Sequence, residues 1–198
     1  MDTKILHERG ISIIELILSV SIIGMFSTMA IVNFRSNKQD DILRIAGFRV
    51  ADAVRAAQSY ALAGVPQNAD LAIASAQEFG VTIARSVGSN SGEAIIFADV
   101  SGGTAGVYDV LTDKKIKEIS LDPDNRKTVE LNDIKVGGIS GVSPVHVAFK
   151  KPDATGFIDG KNGDTDPKEI VLTFKHTQSG HTKTVTINRV TGRVDAQY

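Results

Sequence analysis

No cysteine occurs in the 198 residues. That absence excludes disulfides, thiolate catalysis and cysteine-ligated zinc, and it leaves any exported domain to be held by its own core or by a metal. An excess of one charge is also missing. Twenty-two Lys and Arg stand against 23 Asp and Glu, for a net charge of −1, so nothing overall favours a polyanionic partner. Catalytic spacings are absent as well. There is no G-x-S-x-G elbow, no H-E-x-x-H and no phosphate-binding loop. The serines fall in turns, and local sequence gathers no Ser, His and Asp. The chain is therefore expected to be neither an enzyme nor a cofactor carrier. Charge and helix breakers are scarce in one long stretch. Ile11–Phe34 holds a single ionisable side chain, Glu15, and residues 35–63 hold no proline.

That stretch organises the rest. As a helix, its 24 apolar-rich residues would be about 36 Å long at 1.5 Å per residue. A bilayer core is about 30 Å thick, so the segment is long enough to span it with some tilt. An isolated acid in lipid costs about 2.5–3.5 kcal/mol, which marks Glu15 as a functional residue. The polar segment MDTKILHERG precedes the apolar run and ends in Gly10. A secretory signal has its small-residue junction after the apolar core; here the distinctive junction comes before it.

Gly10, then Ile11, Ser12, Ile13, Ile14, Glu15 and Leu16, followed by a long apolar helix, resemble the class III signal of type IV prepilins and type II secretion pseudopilins. The resemblance covers about the first 60 residues. The chain departs from the family in having Ile11 in place of the usual Phe, and Val32 where many members have Pro. Many pilins also close a C-terminal loop with a disulfide, which this chain cannot do. The resemblance implies cleavage of the Gly10–Ile11 bond by a prepilin peptidase and N-methylation of Ile11. It implies an ammonium at the new terminus that pairs with Glu15, often of a neighbouring subunit, which offsets the desolvation of the carboxylate. The implied partners are other pilin or pseudopilin subunits, the prepilin peptidase and an inner-membrane assembly platform. The implied location is the inner membrane, single-pass with an exported C-terminal domain, and then a filament. Lys4 and Arg9 before the span, against Arg35, Lys38 and Arg44 after it, do not fix orientation by charge, so orientation rests on the resemblance. Ser21, Gly24, Ser27 and Ala30 are small enough to allow close approach of helices.

Beyond the span, Leu43, Ala46, Val50, Ala53, Ala57 and Tyr60 recur at spacings of three and four, a helical stripe. Arg44, Arg49, Asp52 and Arg55 fall off it. Gly64 and Pro66 supply the stop. One helix is expected from Ile11 to Ala63, about 80 Å long. Residues 65–77 read as a connection with a short helical turn in ADLAIASAQ. Seven β-like runs follow: FGVTIA, EAIIFAD, IKEISL, KTVELNDIKV, VHVAF, EIVLTF and KTVTINRV. In the last two, Ile170, Leu172 and Phe174, and then Val185 and Ile187, alternate with polar or outward residues. The short link HTQSGH makes these two a hairpin. The expected fold is α+β, the pilin fold, with a long N-terminal helix laid on an antiparallel sheet. The expected divisions are a leader at 1–10, a membrane or filament-core helix at 11–34, its amphipathic continuation at 35–64 and a β-rich head at 65–198. AIIFADVSGGTAGVYDVLTDKKIKEISL and VHVAFKKPDATG are similar to segments of minor pseudopilins, and TVTINRVTGRV resembles the closing strands of the H-type minor pseudopilins and of related minor pilins used in DNA uptake.

Three further sites are weighed. DPDN (Asp122 to Asn125) and the group Asp159, Asn162, Asp164 and Asp166 are rich in oxygen donors but lack the spacing of a calcium loop; solvated hairpin tips are expected. His146, His176 and His181 suggest zinc, with the last two flanking a turn, but no third ligand is apparent; His7 lies in the leader. No metal is expected. From Lys168 to Tyr198, five basic side chains (Lys168, Lys175, Lys183, Arg189, Arg193) face two acids (Glu169, Asp195). DNA-binding minor pilins carry Gly-Arg-x-Arg near the C-terminus. Gly192 and Arg193 match, while Asp195 takes the place of the second Arg, which weakens attraction to phosphates. Tyr198 and His176 are candidate stacking groups. A filament-borne DNA receptor using Lys183, Arg189 and Arg193 is the alternative to a structural subunit.

Overall fold

The computed structural model describes residues 11–64, 70–85, 92–100, 104–123, 127–159, 167–189, 191 and 193–197. One long helix, α1, runs Ile13–Ala63. It ends where expected: Gly64 takes φ +80°, and its amide bonds to the Tyr60 carbonyl at 3.0 Å, a left-handed C-terminal stop that glycine adopts without strain. The chain divides into two compact units, residues up to Lys38 and residues from Gln39 onward.

The described residues of the first unit are Ile11, Ser12 and the start of α1. From Ile13 to Val32 the described side chains are exposed on every face, including Ile14, Ile17, Val20, Ile23 and Met29. This is the helix long and apolar enough to cross a membrane. Its hydroxyls bond back to carbonyls of the preceding turn: Ser19 to Glu15, Ser21 to Ile17, Ser27 to Ile23 and Thr28 to Met25, all at 2.7–2.8 Å. That pattern suits a setting without water, where polar groups must be satisfied within the helix.

The second unit contains the remainder of α1 and two antiparallel sheets. Leu43, Ala46, Val50, Ala53 and Ala57 are buried and Tyr60 is half-buried, so the stripe faces the core. Ile42, Val54 and Ala61 widen it. At Gly47 any Cβ would lie 2.9 Å from a Val185 methyl, so glycine permits the close approach of helix and strand. A five-residue helix, α2 (Leu71–Ser75), falls in the expected ADLAIASAQ segment, with the Asp70 carboxylate accepting from the Ala72 amide.

Nine strands follow: β1 (Glu78–Arg85), β2 (Gly92–Asp99), β3 (Lys114–Ser120), β4 (Val129–Val136), β5 (Val145–Lys150), β6 (Thr155–Ile158), β7 (Glu169–His176), β8 (Thr182–Asn188) and β9 (Val194–Gln197). They form two sheets, in the orders β3-β2-β1-β5-β6 and β4-β7-β8-β9. The β7–β8 hairpin and its alternation match the sequence reading: Ile170, Leu172, Phe174, Val185 and Ile187 are buried, and the residues between them are half-buried. The division into two sheets departs from the single sheet expected. Strand β4 follows β3 in the chain but pairs with β7, with a register shift between Leu131 and Asp133. Period-two alternation assigns faces, not partners, so the split was not written in the pattern. One apolar cluster nonetheless joins the α1 stripe with Phe79, Val81 and Phe149 of the first sheet and Leu131, Phe174 and Ile187 of the second.

Candidate functional site

Two places carry the residues singled out by the sequence. The first is the start of α1. Ile11 is exposed just before the helix, and Glu15 lies in its first turn, exposed among apolar neighbours. An acid in the first turn is favoured by the helix dipole. Among the described residues no side chain bonds the Glu15 carboxylate, whereas the hydroxyls of Ser19, Ser21, Ser27 and Thr28 are satisfied within the helix. Gly10 lies outside the described residues.

The second is the C-terminal hairpin. Of Lys183, Arg189 and Arg193, only Arg193 is exposed. Lys183 and Arg189 are half-buried. Lys183 shares the strand parity of Val185 and Ile187, which puts its stem on the core side. The amide of Arg189 donates to the Lys168 carbonyl at 2.9 Å. A Cβ at Gly156 would collide with the Arg189 carbonyl, so this residue sits at close packing between β6 and the end of β8. Arg193 is exposed, and its Nε donates to Asp195 Oδ1 at 2.7 Å. Asp195, two residues on, thus partners Arg193. Gly192 and Tyr198 lie outside the described residues.

The histidines stay apart in role. His181 Nδ1 lies 3.3 Å from Asp40 Oδ1 on α1. His176 is buried, and its Nδ1 accepts the Ser179 amide at 3.2 Å across the turn. Burial, and then the neighbouring His181, push its pKa below the ordinary histidine value, against the pull of Asp122. His146 belongs to the other sheet, on β5. Asp122 braces its own turn, with its two oxygens accepting the Thr128 amide at 3.1 Å and the Thr128 hydroxyl at 2.9 Å. Asp159 accepts the His146 amide at 2.9 Å; Asp124, Asn125, Asn162, Asp164 and Asp166 lie outside the described residues. Among the described residues no three His, Asp or Glu side chains are arranged to hold a metal ion.

Two arrangements were missed by the sequence reading. Arg49, expected on the solvated face, is half-buried and donates to the carbonyls of Ser120 (2.6 Å), Asp122 (3.3 Å) and Pro123 (3.3 Å). It pins the end of β3 to α1 with charge-assisted bonds. The second is a polar layer on the far side of β1, β2 and β5. Register places Glu78 opposite Asp99 and Lys150, and Thr82 opposite His146. Burial, and then Asp99, hold the Glu78 carboxyl above the usual carboxylate range, with Lys150 opposing. The signal for this layer was present in the alternation of Glu78, Gly80 and Thr82 with Phe79, Val81 and Ile83. No family model, no curated protein and no solved structure matches the chain.

Proposed function

We propose that the chain is a minor pilin or pseudopilin, a structural subunit held in the inner membrane by the first half of α1 and then assembled into a helical filament. In this reading a prepilin peptidase cuts after Gly10, Ile11 becomes the N-methylated first residue, and Glu15 pairs with the terminal ammonium of a neighbouring subunit. The partners are other subunits, packed helix on helix, together with the peptidase and an assembly platform. Contacts of this head-to-tail kind extend as a fibre rather than closing.

One observation supports the reading above the rest. A single uninterrupted helix carries an apolar, fully exposed half with one acid near its start, and then a half whose stripe is buried against sheets. An anchor alone has no need of the acid, and burial of that acid without a cation is costly. The test is Glu15→Ala in the native host. The expected result is unchanged membrane insertion with loss from sheared filaments; normal incorporation contradicts the pairing. In parallel, Gly10→Val is expected to leave the leader attached, and an unchanged mature mass would place the cut elsewhere. The DNA-receptor reading gains nothing from the Arg193–Asp195 pair, which offsets the one exposed arginine of the set.

A further inference from the structure

The polar layer on β1, β2 and β5 is not open to water: Phe97 is 0% exposed, Thr82 4% and His146 7%. The connection Thr104–Asp113 lies over it. Three of its amides are held by titratable side chains acting as acceptors. Gly106 donates to Asp99 Oδ2 at 2.9 Å, Tyr108 to His146 Nδ1 at 3.3 Å, and Asp109 to Asp113 Oδ2 at 2.7 Å. The Tyr108 ring packs at a 44° tilt against Phe97, with centroids 5.2 Å apart. The cover carries two exposed apolar residues, Val110 and Leu111, at its tip.

We propose that the Thr104–Asp113 loop is a cover released by acid, with His146 as its latch: neutral, the ring holds the Tyr108 amide, and protonated, it drops that amide and turns to the Asp159 carboxylate.

The chemistry follows from the donor inventory. An Nδ1 that accepts a hydrogen bond is unprotonated, so the neutral ring carries its proton on Nε2. The imidazolium has N–H at both nitrogens and sets a donor against the Tyr108 donor. Asp159 waits beside it, fixed by two bonds to His146 itself: its Oδ1 accepts the His146 amide, and its own amide donates to the His146 carbonyl, both at 2.9 Å. Asp159 holds φ +51° to reach that position. The ring thus has one partner for each protonation state.

The sign of the pH effect is fixed by the environment. Burial pushes the His146 pKa below its ordinary value, with Asp159 opposing. Its contribution is therefore complete above the ordinary histidine value of 6.5 and is lost as pH falls through the lower folded value. The carboxyls around the loop act in the opposite sense. Burial raises Asp113, with Asp99 and Asp109 adding to the shift and the Asp109 and Val100 amides opposing it. Glu78, facing Asp99 and Lys150, is raised too. Protonating either relieves a buried charge, and a protonated Asp113 keeps an oxygen that accepts the Asp109 amide. Lys115, beside Tyr108, is tied to Glu118 at 2.9 Å and stays charged. Opening in mild acid thus falls to His146.

The test is amide hydrogen exchange by NMR on the full chain in detergent micelles, expressed as protection factors. Between about pH 7.5 and about pH 5, the Tyr108 amide is expected to lose about tenfold in protection while the Val81 and Val147 amides stay unchanged. In His146→Gln, whose side-chain oxygen accepts without titrating, the loss should vanish. In Asp159→Asn, which keeps an acceptor for the His146 amide and removes the charge, the midpoint should move to lower pH. Equal Tyr108 protection at both pH values, or a loss that persists in His146→Gln, overturns the latch. Should His146→Gln fail to fold, Asp159→Asn decides: a lowered midpoint supports the latch, and an unmoved one overturns it.

Discussion

The two halves of α1 obey different rules, although the chain passes from one to the other without a break. From Ile13 to Val32 the helix is apolar on all sides and buries none of them. From Ile42 to Ala61 one apolar stripe is buried, with alanine at Ala46, Ala53 and Ala57 where the helix meets the sheets, while Ile45 and Phe48 stay exposed off it. A stripe is the signature of a helix that finds its apolar partner within its own chain. An all-round apolar surface requires a partner from outside, whether lipid or other helices. The contrast therefore separates what the fold holds together from what the function must supply.

The same substitution placed in each half should break the symmetry most visibly. Leu43→Ala removes a side chain that is 1% exposed and should cost the head about 2–5 kcal/mol. Leu18→Ala, in the exposed half, should leave head unfolding unchanged. Denaturant unfolding of the full chain in micelles measures both, and equal losses would contradict the division. Next in size is a charge. Ile23→Lys should raise the cost of membrane insertion by about 2.5–3.5 kcal/mol, read as loss from the carbonate-resistant membrane fraction. Phe48→Lys, on the exposed side of the second half, should have no such effect; if it did, the apolar span would have to be longer than described.

How much of this was legible in the chain differs by element. The helix, its stop at Gly64 and its buried stripe follow from periodicity and one glycine, because both are local properties. The faces of β7 and β8 were equally plain. By the same alternation Lys183 shares the parity of Val185 and Ile187, and it is half-buried, so a count of charges along Lys168–Tyr198 is not a count of exposed charges. The separation into two sheets was not legible, since the partner of β4 lies some forty residues further along in β7. Nor was the role of Arg49, whose acceptors are backbone carbonyls of residues 120–123. Backbone acceptors have no residue type, so no motif announces them. The His146 latch was hidden for the same reason: one of its two partners is the Tyr108 amide.

Smaller tests sharpen the comparison within the second half. Arg49→Ala should cost about 1–3 kcal/mol, since the half-buried carbonyls of Ser120 and Pro123 lose this donor. Arg44→Ala, five residues earlier and paired with Asp41 in the open at 3.3 Å, should have no resolvable effect on unfolding. Smallest of all is Asp195→Ala. It should leave stability unchanged and free Arg193. Salt-sensitive gel-shift binding of DNA by the wild-type chain, lost in Arg193→Ala, would move the DNA-receptor reading ahead of the structural one.

The central claim is that the exposed, acid-bearing half of α1 becomes competent for assembly once a new terminus is made beside Glu15. Intact-mass and N-terminal peptide mass spectrometry of the subunit recovered from native filaments tests this most directly. The account predicts a chain that begins at Ile11, lacks residues 1–10 and carries one methyl group on its terminal nitrogen. Filaments built from chains that still begin at Met1 would contradict it.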